Sequence, residues 1–598
     1  MLTAIVNKDL YRYEINSLIK AFYPEETVKV LAWGDSDTSP NVRMAANAVK
    51  AAGTSGAPLP SVTAGTSEAP LPSVTAGTSE APLPSVTAGT SEAPLLSAKA
   101  ADTSEAPFLF VKYSESKLTV SVKTSDKPPV SAEHTGSKCD EKSAELKNEL
   151  KHMLYRVLSE ETGRELPWGE LIGIRPTKLA MMHIDGGATD DETVQYMMDE
   201  HRVSRGKAEL AVEIARREKK ILQNIHYENG YSLYIGIPFC PTTCLYCSFT
   251  SFPLATWRDR VDTYLDALIH EIEATTHMMK SRGKVLDTVY IGGGTPTTLE
   301  PEQLDRLLNA IEENFKGETK RSSESSEPQT DSQICHHEPL KHQTDCQNSR
   351  SKLLQDSDSG QHSFASTLQE FTVEAGRPDS ITPDKLAMLQ KHGVGRISVN
   401  PQTMNDRTLE LIGRRHSVQQ VIDAFHMARE AGFDNINMDI ILGLPEETEE
   451  DVHRTIDEIS KLHPDDLTVH SLALKRASRM QQWIEQNGFT SIHNTDETMK
   501  IAADGAAAMG LEPYYLYRQK NMSGNFENVG YAAPGKAGIY NILIMEEKQT
   551  ILALGAGAIT KRVFPGGRIE RCDNAKDVAT YIANIDEMIE RKEKLFAE

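Results

Sequence analysis

Hydrophobic and polar positions fall into two regimes along the chain. Near the start, Ile15, Leu18, Ile19 and Phe22 recur at helical spacing and predict a helix. Two alternating runs, FLFVKY from Phe108 and KLTVSV ending at Val122, predict strands. A polar linker over 124–140 follows, then a helix from about Ala144 to Leu158 and further helices from about Thr193 to Gln223. From Tyr231 onward the period switches repeatedly between two and 3.6. Strands are predicted at 231–237, 286–291, 370–374, 396–400, 436–442 and 467–472, with helical stretches between them such as Tyr264–Met279 and Val418–Ala431. A last helix is predicted over Asp577–Phe596.

This alternation implies a parallel sheet, and six such units predict an α/β fold, a partial (β/α)6 TIM-like barrel. The pattern divides into an N-terminal α+β region (1–34 and 108–225), a core barrel (226–475) and a C-terminal α/β extension (476–598). Two stretches break the rhythm. In 35–107 the unit SEAPLPSVTAGT repeats every twelve residues, rich in Pro, Ser, Thr, Ala and Gly and without the apolar content of a core, so it is expected to be disordered. The same is expected of 317–366, where Cys335, His336, His337, His342 and Cys346 promise no more than adventitious metal binding.

Composition narrows the classes. The chain has 598 residues, 39% hydrophobic and 25% charged, as expected of a soluble protein of more than one domain. Its net charge of −22 argues against a nucleic-acid or anionic-membrane surface. No window supplies the roughly 18 apolar residues of a spanning helix, and the first residues show no secretory h-region. Seven cysteines, three of them clustered, form no disulfide framework, so the expected location is the cytoplasm.

That cluster is the strongest chemical signal. In YSLYIGIPFCPTTCLYCSFTSF a strand breaks at Pro238 and delivers Cys240, Cys244 and Cys247 with CxxxCxxC spacing. Zinc prefers four ligands, often as two CxxC-like pairs, and no fourth Cys or His lies within ten residues of the triad. A four-iron, four-sulfur cluster normally takes four thiolates, so three leave one iron open to a ligand that is not protein. S-adenosylmethionine (SAM) can chelate that iron through its amino and carboxylate groups.

Other candidates fall at strand ends. Gly292–Gly294 with Thr295 and Pro296 follow one strand, and consecutive glycines let a ligand reach the backbone. Glu374 ends the next strand and suits ribose hydroxyls; Asn400, Gln402 and Asp439 stand at later ones. The GxG at Gly555 and Gly557 lacks the third glycine of a dinucleotide fingerprint, with Thr560 in its place.

The motifs YIGIPFCPTTCLYC, GGGTPT, FTVEAG, RISVNPQ, LIGRRHS and MDIILGLP together resemble the radical SAM family of oxygen-independent coproporphyrinogen III oxidases (coproporphyrinogen dehydrogenases). The resemblance spans about Tyr231–Ala473 and returns at LALGAGAI; WGELIGIRPTK (168–178) resembles the HemZ-type branch. It implies a 4Fe–4S cluster on Cys240, Cys244 and Cys247, and one SAM held by Tyr234, Gly293 and Glu374 with Ile559 on its adenine side. Contacts to a second SAM would fall on Tyr246, Gly294, Thr295, Gln402, Arg414, Asp439 and Ala473. No catalytic residue is assigned beyond the cluster and SAM.

The implied activity is oxidative decarboxylation of coproporphyrinogen III propionates to vinyl groups, giving protoporphyrinogen IX, in a monomer served by a reducing partner such as flavodoxin or ferredoxin. Arg175, Arg415, Lys475, Arg476 and Arg479 are candidate cations for the tetrapyrrole carboxylates. The sequence departs from the well-studied bacterial form at Gly236, where that form has His, and at Phe249, where it has a fourth Cys. The alternatives are a heme-binding chaperone of the same superfamily and a radical SAM methyltransferase acting on a tetrapyrrole. The chaperone's HNxxYW-like motif is matched only by Glu527–Ala532, with Glu for His and Ala for Trp.

Overall fold

The computed structural model describes residues 2–8, 10–26, 28–32, 108–123, 130–135, 143–171, 175–247, 251–315, 364–475, 478–488, 492–519 and 522–597. The repeat and nearly all of the 317–366 insertion, with their cysteines and histidines, lie outside these residues, as do Gly173, Phe249 and Arg476. The chain forms two compact units, Met1–Glu170 and Leu171–Glu598.

The first unit is a five-stranded sheet in the order β2-β1-β3-β4-β5. Its strands are β1 (Leu2–Val6), β2 (Val28–Ala32), β3 (Phe108–Tyr113), β4 (Lys117–Lys123) and β5 (Val130–Thr135). The predicted helix runs Arg12–Phe22 and carries the chain from β1 to the parallel β2, burying Ile15, Leu18, Ile19 and Phe22. A second helix, Ala144–Thr162, starts where Ser143 accepts from the Leu146 N–H and stops at Gly163, whose φ of 67° favours glycine. Both helices close one core with Leu109, Val111, Leu118 and Val120.

The second unit is built on an eleven-stranded sheet, β14-β15-β13-β12-β11-β10-β9-β6-β16-β17-β18. Six parallel strands follow the sequence expectation closely: β6 (Gly230–Ile237), β9 (Val285–Gly293), β10 (Glu370–Gly376), β11 (Arg396–Val399), β12 (Ile436–Leu442) and β13 (Asp466–Ser471). Helices such as Val261–Ser281 and Val418–Glu430 make the crossovers. The result is the partial (β/α)6 barrel. The pair β7 (Phe239–Cys240) and β8 (Phe252–Pro253) sits just past the end of β6.

Three expectations need correction. The helices Pro176–Asp185, Asp190–His201 and Arg205–Ile221 belong to the second unit, because the chain divides after Glu170 and Arg217 of the last helix pairs with Glu512 at 3.3 Å. The residues after 475 do not stand apart from the barrel sheet. β16 (Thr550–Leu554) lies parallel on the open edge of β6, with β17 (Ile559–Val563) and β18 (Ile569–Asp573) beyond it. β15 (Asn528–Ala532) and β14 (Glu512–Tyr517) pair antiparallel beyond β13. An open barrel has two free edges, and these strands cover both. Finally, the last helix breaks at Asn584 (φ −121°) into Val578–Ala583 and Ile585–Ala597.

One buried acid gives a stability prediction. Both carboxylate oxygens of Glu218 are buried without a hydrogen-bond partner among the described residues. Burial, then the neighbouring Glu546 charge, push its carboxyl well above the usual range. The folded state therefore holds a proton that the unfolded chain releases near the ordinary carboxylate value. The stabilisation is complete below that value and is lost as pH rises toward the raised native one. Urea melts across this range should show stability falling with pH, and Glu218→Gln should flatten the fall.

Candidate active site

Strand period and register decide what faces what. On β6, Tyr234 and Gly236 share a face; on β9, Tyr290 and Gly292 do the same. Register sets Tyr234 beside Tyr290, Gly236 beside Gly292 and Ile237 beside Gly293. The chain after β9 then runs along the chain after β6. The Gly294 N–H donates to Ile237 O and the Thr295 N–H to Phe239 O, both at 2.8 Å. Glycine is required here: a Cβ on Gly294 would stand 2.5 Å from Phe239 O and 3.0 Å from Cys240 Sγ. Gly293, at φ 113°, adopts a backbone that side chains disfavour.

The cysteine loop is pinned from four further directions. Thr242 Oγ1 donates to Gly413 O at 3.1 Å, and the Leu245 N–H to Ile412 O at 2.9 Å. Arg377, buried and paired with both oxygens of Asp379, donates to Thr242 Oγ1 at 2.6 Å. Arg479 donates to Thr243 O. Thr295 Oγ1 lies 3.6 Å from Cys240 Sγ. Burial pushes the Cys240 thiol up to about 11, against the Thr295 contact. The Cys247 N–H donates to Cys244 O at 3.3 Å, closing a turn between the last two thiols.

Inside the barrel Tyr234, Tyr290 and Tyr540 stack, with Tyr290 and Tyr540 rings 4.4 Å apart. The Tyr290 hydroxyl donates to Glu374 Oε1 at 2.6 Å. Burial pushes the Glu374 carboxyl up to about 7, opposed by the Tyr290 hydroxyl. A second group joins Tyr246, Gln402, Arg414 and Asp439. The Tyr246 hydroxyl donates to Gln402 Oε1 at 3.1 Å, and the Gln402 N–H to Asp439 O at 2.9 Å. Arg414 donates to Asn400 O, and Tyr246 and Cys244 beside it outweigh its burial and keep it charged. Burial pulls Asp439 up, but His470 and Asn437 outweigh it and hold the carboxyl below its usual value. Ala473 bridges to Met522, and Ile559, 41% exposed, opens β17 opposite Asp573.

The arrangement fits the expected cofactors chemically. Cys240, Cys244 and Cys247 are free thiols on one loop, the donor set of a cluster that meets each thiolate through a different iron. The buried Asn400 Oδ1 and Arg414 Nε, without partners among the described residues, offer an acceptor and a donor to a polar ligand.

The sequence missed several members. Tyr290 was findable, since period two puts it on the face of Gly292. Arg377 and Asp379 stand in GRPDS just past Glu374, but their grip on Thr242 has no local signal. Tyr540 arrives on the helix Ile539–Glu546 from far along the chain. One other expectation is corrected. Arg175 donates to Met545 O and Glu546 O and pairs with Glu547 at 2.9 Å, so it clamps that helix's C-terminus and is not open to a substrate carboxylate. Arg479 is engaged with Thr243. Glu527 is buried and paired with Lys207.

A family model described as the Radical SAM superfamily matches residues 358–459. The oxygen-independent coproporphyrinogen-III oxidase-like protein HemZ of Bacillus subtilis is 35% identical over 458 residues, 76% of this chain and 82% of that protein. The heme chaperone HemW of the same organism is 33% identical over 244 residues, 41% of this chain and 51% of that one. Among solved structures, Escherichia coli coproporphyrinogen III oxidase (HemN) is similar with a TM-score of 0.43 and 21% identity, over 62% of this chain and 72% of that one.

Gly294→Ala tests the close approach. Its Cβ must push Phe239 O and Cys240 aside, an overpacking that costs about 1–3 kcal/mol. Thermal melting should show a lowered midpoint, and the purified variant should reconstitute less iron than its parent.

Proposed function

The chain belongs to the HemZ-type, coproporphyrinogen III oxidase-like branch of the radical SAM superfamily, which works with a 4Fe–4S cluster and SAM, and we propose that it decarboxylates a porphyrinogen. The substrate would be coproporphyrinogen III, with two propionates converted to vinyl groups. The observation that carries the reading is the joining of the three-thiol loop to Gly293–Thr295, with Glu374 one strand away. In this reading Cys240, Cys244 and Cys247 ligate three irons. Gly293 and Glu374 would take the amino and ribose groups of SAM, Tyr234 would lie against it, and Tyr246, Gln402, Arg414 and Asp439 would offer a second polar subsite.

Bound there, the cofactors would supply the radical chemistry that removes one hydrogen atom from a propionate β-carbon; the carboxylate would leave as CO2, and the one remaining electron would pass to a one-electron acceptor, giving the vinyl group. The protein's share is placement and exclusion of water. Arg377 and Arg479 hold the cysteine loop, and the tyrosine stack fills the barrel beneath it. Lys475, just past β13, is half-buried, which lowers its ammonium pKa, and it would offer a cation to a substrate carboxylate. Arg415 is exposed.

The chaperone reading draws on the 33% identity to HemW. Against it, Glu527 stands where that family's motif has His, and a buried carboxylate paired with Lys207 is a poor donor to heme iron.

An anaerobic assay with coproporphyrinogen III, SAM and a reductant should give doubly decarboxylated product by mass spectrometry. Tight stoichiometric heme binding without any such product would favour the chaperone instead. Changing Cys240, Cys244 or Cys247 to Ala should abolish the cluster's absorbance at about 400 nm, while Cys572→Ala should keep it. Losing one charge-assisted hydrogen bond of about 1.5 kcal/mol, Lys475→Ala should raise KM roughly tenfold with little change in kcat.

A further inference from the structure

A buried charge pair lies beside the loop that follows β16. Glu271, on the helix Val261–Ser281, and Lys592, on the last helix, are both fully buried. Lys592 Nζ donates to Glu271 Oε1 at 2.7 Å, and Asn574 Nδ2 donates to the same oxygen at 2.8 Å. Glu271 Oε2 accepts from the Gly555 N–H at 2.8 Å and from the Tyr581 hydroxyl at 2.7 Å. Asn574 Nδ2 also donates to Gly555 O at 2.9 Å. Both backbone groups of Gly555 are thus fixed by this cluster.

Gly555 opens the loop from β16 toward Ile559, and the loop abuts the end of β6. A Cβ on Gly555 would stand 2.5 Å from Gly236 O. The Tyr264 hydroxyl donates to Gly236 O at 2.6 Å and accepts from the Ala556 N–H at 3.1 Å, tying the two backbones together. A buried ion pair gives little net stability over an apolar pair of the same volume. Its geometric effect is specific: it supplies the acceptor that sets where the loop runs beside β6, two residues from Tyr234.

We propose that Glu271 and Lys592 are positioning residues for the nucleoside side of SAM, holding the Gly555–Gly557 loop as one wall of the adenine pocket. This rests on the reading that SAM lies over Tyr234 with Ile559 toward its adenine. The acceptor at Glu271 Oε2 is the essential part, and the charges serve to place it. Removing both charges while keeping an oxygen for Gly555 therefore preserves the wall, and removing the oxygen as well releases it.

Two variants of the full-length, cluster-reconstituted protein separate these cases, with SAM binding measured by anaerobic equilibrium dialysis alongside iron content and melting temperature. Glu271→Gln/Lys592→Met should bind SAM within about threefold of the parent. Glu271→Leu/Lys592→Met should bind it about tenfold or more weakly at unchanged iron content, as loss of a buried acceptor implies. Equal SAM affinity in the two, or a parallel loss of iron and SAM, overturns the proposal. If the Leu/Met variant does not fold, Tyr581→Phe, which removes one donor to Oε2, should weaken SAM binding about threefold; parental affinity there also overturns it. A parent that binds no SAM at all would instead sink the SAM reading on which the proposal stands.

Discussion

Two backbone hydrogen bonds, from Gly294 and Thr295 to the carbonyls of Ile237 and Phe239, are the constraint on which the site depends. They extend the β6–β9 pairing past the end of the sheet and bring the glycine run against Cys240. Only residues without a Cβ permit that approach at Gly294, so the glycine motif and the cysteine motif are two sides of one contact. Glu374 stands one strand beyond, close enough that a Cβ on Gly292 would meet its carboxylate at 3.0 Å.

Around that contact the fold spends buried charge on loops. Arg377 and Asp379 fix Thr242, and Glu271 with Lys592 fixes Gly555. At the other end of the barrel, Arg396 pairs with Asp466 at 2.8 Å, and Glu370 accepts from the first N–H groups of the helix Ile539–Glu546. That helix carries Tyr540 to the stack with Tyr234 and Tyr290. Glu370 and Glu271 stand where a helix start and a loop would otherwise leave backbone N–H groups unpaired beside the barrel.

Much of this was legible from sequence. The alternating periods placed the six barrel strands within one or two residues, because strands buried on both faces between amphipathic helices carry strong local patterns. The three thiols, the glycine run and Glu374 were found by position at strand ends. What failed was long-range. Nothing local tells that β16 will complete the open edge of β6, or that the helix Arg205–Ile221 will pair with Glu512 rather than join the first unit. The break at Asn584 was hidden by an apolar pattern that continues through it, and Arg175 read as a free cation because its partners lie at 545–547.

The central claim is that three thiolates leave one iron for SAM at this strand-end site. Electron–nuclear double resonance on the reduced, reconstituted protein with SAM labelled by 17O in its carboxylate and 15N in its amino group tests it most directly. The account predicts hyperfine coupling of both nuclei to the cluster. A reduced cluster whose spectrum is untouched by SAM, with neither nucleus coupled, would contradict it.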